Sequence, residues 1–187
     1  MRTGETMRIH PDRMRATLHG GLSDATIARL LACARLNERL DAWFGTGPVG
    51  AGDAPAWLLA DPAEAVRRAG AILHGRAIRS VLTGPDVAAL VAAIGREAHA
   101  LGLRHGAEAP ARDHGGDLAG AIRRDGAACL DAWLRTRAAP LRAAILLALP
   151  PGLVGAEVSD AVDAEAVMEA VARSFTPQGD AKAGSGV

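Results

Sequence analysis

Gly126-Ala127-Ala128-Cys129-Leu130-Asp131-Ala132-Trp133-Leu134, followed by Ala139-Pro140-Leu141-Arg142-Ala143-Ala144-Ile145-Leu146-Leu147-Ala148-Leu149-Pro150-Pro151-Gly152, reads as two amphipathic helices hinged at one proline and stopped by two more. Leu118, Ile122, Cys129, Leu130, Trp133 and Leu134, then Leu141, Ile145 and Leu149, recur at steps of three and four. That spacing places them on one side of a helix, and a side so apolar must be buried. The stretch is therefore a packing element, and it carries no catalytic pattern.

Working outward, the same bias fills the chain. Half of its 187 residues are apolar, but there are only three Trp, two Phe and no Tyr. Ala and Leu favour helix, whereas strands are built from β-branched and aromatic residues. No alternating stretch is long enough for a sheet and no internal repeat has a fixed period. The reading is all-α: a single, non-repeat helical domain of about six to eight helices with short capped turns. Its limits are an irregular lead-in over 1–8, a helical domain over 9–175 and a disordered tail over 176–187, with flexible loops near 45–57 and 105–116.

Helix punctuation supports these limits. A short helix is expected near Asp12–Leu18, and Ser23 or Asp24 can cap a helix burying Ile27, Leu30, Leu31, Ala34, Leu40 and Trp43 up to Gly45. Asp61-Pro62-Ala63-Glu64 combines a capping carboxylate, a proline in the first turn and a glutamate placed as its capping-box partner, predicting a helix to about His74. A short helix over 76–82 turns Ile78, Val81 and Leu82 inward. Thr83-Gly84-Pro85-Asp86 starts another, with Val87, Leu90, Val91, Ile94, Ala98 and Leu101 as one uninterrupted stripe to Gly102. Ser159 or Asp160 begins a last helix through Val162, Val167, Val171 and Phe175.

Charge excludes several classes. Twenty-one basic and twenty-one acidic residues cancel, which leaves no excess to neutralise nucleic-acid phosphates or to hold an anionic membrane. The longest uncharged apolar run, Ala143–Pro151, is far short of the roughly 20 residues that span a bilayer. Residues 1–11 contain no apolar signal region, so a cytoplasmic protein is expected. Cys33 and Cys129 both fall on apolar helical faces and read as core thiols, not a disulfide.

Catalytic motifs fail on context. Gly45-Thr46-Gly47-Pro48-Val49-Gly50 matches the dinucleotide fingerprint by letters, yet a helix precedes it and a proline sits inside it, where the fingerprint needs a strand–turn–helix. His10, His19, His74, His99, His105 and His114 form no metal-spaced pair. His74 and His99 lie near predicted helix ends, where a cation suits the dipole. His19-Gly20-Gly21 resembles an esterase oxyanion loop but lacks a nucleophile elbow. No catalytic, cofactor-binding or metal-ligating residue is assigned. Five residues remain as candidates for a partner interface: the arginines Arg67, Arg68, Arg76 and Arg79 around Gly75, and Trp57, an aromatic outside any stripe. Arg123-Arg124 forms a second, smaller basic pair.

Four places, in order, resemble the YscK-type (SctK) components of bacterial type III secretion systems. They are Ile9-His10-Pro11-Asp12-Arg13; Gly70-Ala71-Ile72-Leu73-His74-Gly75-Arg76-Ala77-Ile78-Arg79; the stretch Val87–Gly95; and Cys129-Leu130-Asp131-Ala132-Trp133-Leu134 with Leu141-Arg142 and Leu147-Ala148-Leu149-Pro150. The resemblance spans about residues 7–152, with Ala148 standing where that family often has lysine. It implies a helical, non-enzymatic adaptor of the cytoplasmic sorting platform, peripheral to the inner membrane. Its partners would be the cytoplasmic domain of the SctD-type ring protein and the SctQ-type pod protein, with the SctL-type stator and SctN-type ATPase reached indirectly. The rival reading is a helical small-molecule-binding domain or small enzyme in which His74, His99 and Cys129 converge on a pocket.

Overall fold

Capping side chains set where the helices begin. In the computed structural model, which describes residues 9–18, 20–44, 54–107, 109–154 and 163–176, the helices are α1 (Pro11–Leu18), α2 (Asp24–Leu31), α3 (Ala34–Phe44), α4 (Ala56–Ala60), α5 (Pro62–Leu73), α6 (Gly75–Arg79), α7 (Gly84–Ile94), α8 (Arg96–His105), α9 (Leu118–Arg135), α10 (Ala139–Ala148) and α11 (Ala164–Phe175). No strand occurs among the described residues. Ser23, Asp61, Thr83, Asp117 and Asp163 each accept a hydrogen bond from the backbone N–H three residues on, at Thr26, Glu64, Asp86, Gly120 and Ala166. Each bond satisfies one of the amides that the first turn of a helix leaves unpaired.

The hub is α5, which lies between α8 and α9, with α11 crossing both α5 and α9. Small residues permit this close approach. A methyl group on Gly70 of α5 would run into the Ile122 carbonyl of α9, and one on Gly126 of α9 would run into the Val66 carbonyl of α5. Around that crossing the larger cluster gathers Leu58, Leu73, Leu130, Leu134, Ile145 and Met168, among others. A smaller cluster of Ala71, Ile78, Leu90, Ile94, Ala98 and Ile122 lies against α7 and α8. The stripe that decided the fold is buried as predicted at Ile122, Cys129, Leu130, Trp133, Leu134, Ile145 and Leu149.

Among the described residues the helix count rises to eleven, because two predicted helices are broken and α4 forms where a loop was expected. The stripe over 87–101 is interrupted at Gly95, whose φ of 92° is open to glycine and strained for other residues. The helix expected over 24–44 breaks at Ala32–Cys33, which leaves Cys33 exposed, not in the core. Beyond the break Ala34 is exposed, and Trp43 is 86% exposed where a buried face was expected. Leu82 is also 86% exposed, because α6 ends at Arg79 and carries only Ile78 fully inward. The preceding helix ends where expected, with His74 as its C-cap, and Gly75 directly opens α6.

Other boundaries shift. Trp57, placed in a loop, lies in α4, and His105 is the last residue of α8. The observed cap of the final helix is Asp163; Ser159, Asp160 and Val162 lie outside the described residues, as do the Gly-rich segment 45–53, His19 and the segments 1–8 and 177–187. At the other end of the chain, the His10 N–H donates to the Leu147 carbonyl at 2.8 Å and Arg13 Nε donates to the Leu149 carbonyl at 3.2 Å. These bonds fasten the N-terminal segment to the end of α10.

Candidate functional site

The five candidate interface residues do not form one patch. Arg68 is only 8% exposed. Its Nε donates to Glu64 Oε1 at 2.9 Å, and its Nη1 donates to the Ser174 carbonyl at 2.9 Å and to Ser174 Oγ at 3.0 Å. The guanidinium also lies 4.0 Å from the centroid of the Phe175 ring, within reach of its π-face. Trp57 stacks on that same ring at 5.5 Å. Arg67 closes the set from the surface side, placing Nε at 3.0 Å and Nη2 at 2.8 Å from Glu64 Oε2. Glu64 was expected to turn back on its own helix cap; its carboxylate is instead divided between two arginines. Arg68 is thereby removed from the exposed cluster, and with Trp57 it becomes a clasp that holds α11 against α4 and α5.

The other two arginines remain outside. Arg76 is exposed and forms no ion pair among the described residues. Arg79 is exposed as well, but its Nε donates to the Leu103 carbonyl at 3.0 Å. A guanidinium there satisfies a carbonyl in the last turn of α8 and opposes the negative end of its dipole. Backbone around this corner is tightly packed, since a methyl group on Gly75 would press on Gly102 and Gly106. The exposed basic surface near Gly75 therefore reduces to Arg76 with Arg79 beside it.

Beneath the corner lies a polar cluster absent from the sequence reading. His74, only 1% exposed, sits at the C-cap of α5, the helix end predicted for it. Its Nε2 is 2.9 Å from Asp125 Oδ2 of α9, and Arg112 Nη1 is 3.7 Å from the same oxygen. The three groups link the loop before α9 to the α5–α6 corner. Asp125 follows Arg123-Arg124 in sequence, and its single aid to prediction is its place on the side of α9 that carries Cys129 one turn later.

The residues of a possible catalytic pocket are otherwise engaged. Burial pushes the Cys129 thiol up to about 12, against a smaller lowering by Arg112 and with a further small rise from Asp163. Such a thiol is protonated at neutral pH and is a poor nucleophile. His99 stands in the first half of α8, away from the helix end assigned to it, because Gly95 restarts the helix. Among the described residues no group of three or more His, Cys, Asp and Glu side chains is placed to hold a metal ion. None of the described helices is long and apolar enough to cross a membrane.

The fold and its charged groups define a class: an all-α domain whose polar clusters tie helices together and which leaves Arg76 exposed without an ion pair among the described residues. Comparison with known proteins then places it more closely. The chain is 43% identical over 152 residues to the nodulation protein NolU of Rhizobium fredii, covering 76% of this chain and 71% of that protein. The same identity and coverage hold for NolU of Sinorhizobium fredii strain NBRC 101917 / NGR234. This chain belongs to the NolU family. No family model matches it, and no solved structure matches it.

Proposed function

We propose that the chain is a non-enzymatic cytoplasmic adaptor of a type III secretion sorting platform, joining an SctD-type ring protein to an SctQ-type pod protein, with the stator and ATPase beneath. One observation carries the reading: the four stretches that resemble that family are the stretches that pack on one another. Ile9–Arg13 bonds to Leu147 and Leu149. Ile72 and Leu73 share one core with Cys129, Leu130, Trp133 and Leu134. Leu90 and Ile94 share the other core with Ala71 and Ile78. A resemblance scattered by chance over an Ala/Leu-rich chain has no reason to converge this way. Membership of the NolU family supports the coarser half of the proposal, a type III secretion-related role.

Arg76 is the contact we assign to the ring protein, since it is exposed and its charge is uncompensated by an ion pair. The test uses the full chain and the purified cytoplasmic domain of the ring protein from the same organism. Arg76→Glu weakens that binding by about tenfold or more, the loss expected of a hot-spot arginine, with no change in melting temperature. Unchanged binding takes Arg76 out of the interface. Absence of binding by the unaltered chain to both ring and pod proteins rejects the adaptor.

A further inference from the structure

α3 carries the most exposed aromatic residue of the described structure on a helix that few others touch. Among its residues whose burial is described none is fully buried, and it touches α2 and α10 only lightly. Leu36 and Leu40 are half-buried, while the Asn37 side-chain amide donates to the Leu31 carbonyl at 3.1 Å. On the outer side stand Arg35, Arg39 and Trp43, all exposed. Their spacing of four residues sets them one turn apart in a single row. Neither arginine has an ion-pair partner among the described residues, although Glu38 is three residues from Arg35.

We infer that this Arg35–Arg39–Trp43 row is a docking face for an acidic helical segment of the pod-side partner, a proposal that rests on the adaptor reading. Tryptophan and arginine are the residues that concentrate energy at protein interfaces, the one by filling a pocket and the other by forked bonding to carboxylates. Two free cations one helical turn apart match two carboxylates one turn apart on a facing helix. An adaptor also needs two separate faces, and the Gly75 corner supplies the other. An anionic membrane fits less well: a helix lying in a lipid surface sinks a broad apolar face, and here Leu36 and Leu40 are half-buried and the exposed row is two arginines with one tryptophan.

The experiment measures binding of the full chain, and of Arg35→Glu/Arg39→Glu and Trp43→Ala variants, to the purified SctQ-type pod protein and to the ring-protein domain. Both variants weaken pod binding at least about tenfold, leave ring-domain binding within about twofold and melt as the unaltered chain does. Raising salt from about 50 to about 300 mM weakens the unaltered chain's pod binding and has little effect on the charge-reversed variant's, because exposed pairs are screened. If the unaltered chain and both variants bind the pod protein equally, the docking face is overturned while the adaptor reading stands. If the unaltered chain binds neither protein, both fall. Phosphatidylglycerol vesicles that blue-shift the emission of Trp43, together with pod binding insensitive to both variants, would assign the row to a membrane and overturn the proposal.

Discussion

Arg68 and Cys129 show how much of this molecule is decided by single buried groups. Replacing Arg68 by alanine removes its bonds to Ser174 and its stacking on Phe175, yet Glu64 keeps Arg67 as a partner. The loss therefore falls below that of a fully orphaned buried charge, at about 2–3 kcal/mol. Arg68→Lys keeps the charge but not the fork and is expected to lose part of that. Arg76→Ala, at the exposed corner, shifts stability by less than about 0.5 kcal/mol; urea unfolding of the three variants gives the order directly. The Cys129 thiol titrates from an ordinary value of 9.0 up to about 12 in the fold. A raised value means the unfolded chain loses this proton first, so the thiol's contribution is intact below about pH 9 and declines as pH rises toward 12. Over that window it tilts stability by about 1.4 kcal/mol per pH unit. Cys129→Ala abolishes this part of the slope. At neutral pH iodoacetamide is expected to alkylate exposed Cys33 and spare Cys129 until urea is added; native labelling of both would contradict the buried assignment.

At the level of helices, the α5–α9 crossing is the point that tolerates least. Gly70 and Gly126 each face the backbone of the other helix with no room for a methyl group, and backbone cannot rotate aside as a side chain does. Gly70→Ala and Gly126→Ala must push the helices apart, costing upwards of about 3 kcal/mol. Gly20→Ala meets nothing within 4 Å and is expected to change the melting temperature little, by circular dichroism. The sequence made much of this layer readable. Caps such as Asp61 and Thr83, first-turn prolines and the 118–149 stripe are local signals, and each recurs in the structure. Breaks that preserve the apolar period were not readable. The stripe passes through Gly95 because the helices on either side turn Ile94 and Ala98 to the same core. The site was least legible of all: an arginine on an amphipathic helix reads as solvated, and nothing near Arg68 announces Ser174, 106 residues later. Trp43 fits a helical apolar period, and only the break at Ala32–Cys33 explains why it faces outward.

Across the whole molecule, the described helices divide by how firmly they are held. The central set of α5, α8, α9 and α11 shares close backbone approaches and most of the large core, whereas α1, α2 and α3 bury few side chains, Met14 and Ile27 among them, and are also held by polar links. Two of these are the bonds from His10 and Arg13 to α10, and Arg15 adds a bridge within the unit by pairing with Asp12 and Asp24. The Leu149 carbonyl ends α10 and has no helical donor ahead of it, so a guanidinium is well suited to satisfy it. Removing that donor by Arg13→Ala should cost about 1–1.5 kcal/mol, and the architecture determines where the cost appears. If the N-terminal helices open as a separate unit, their amides exchange about tenfold faster while those of α5 and α9 keep their protection. Equal acceleration throughout would make the chain one cooperative unit. The separate-unit outcome follows from the packing, because α1 buries only Met14, α2 buries only Ile27, and no residue of α3 whose burial is described is fully buried. A lightly held helix is also one that can adjust to a partner without disturbing the core, so hydrogen exchange of α3 in Arg13→Ala tests whether its outer row stands on a unit free to move.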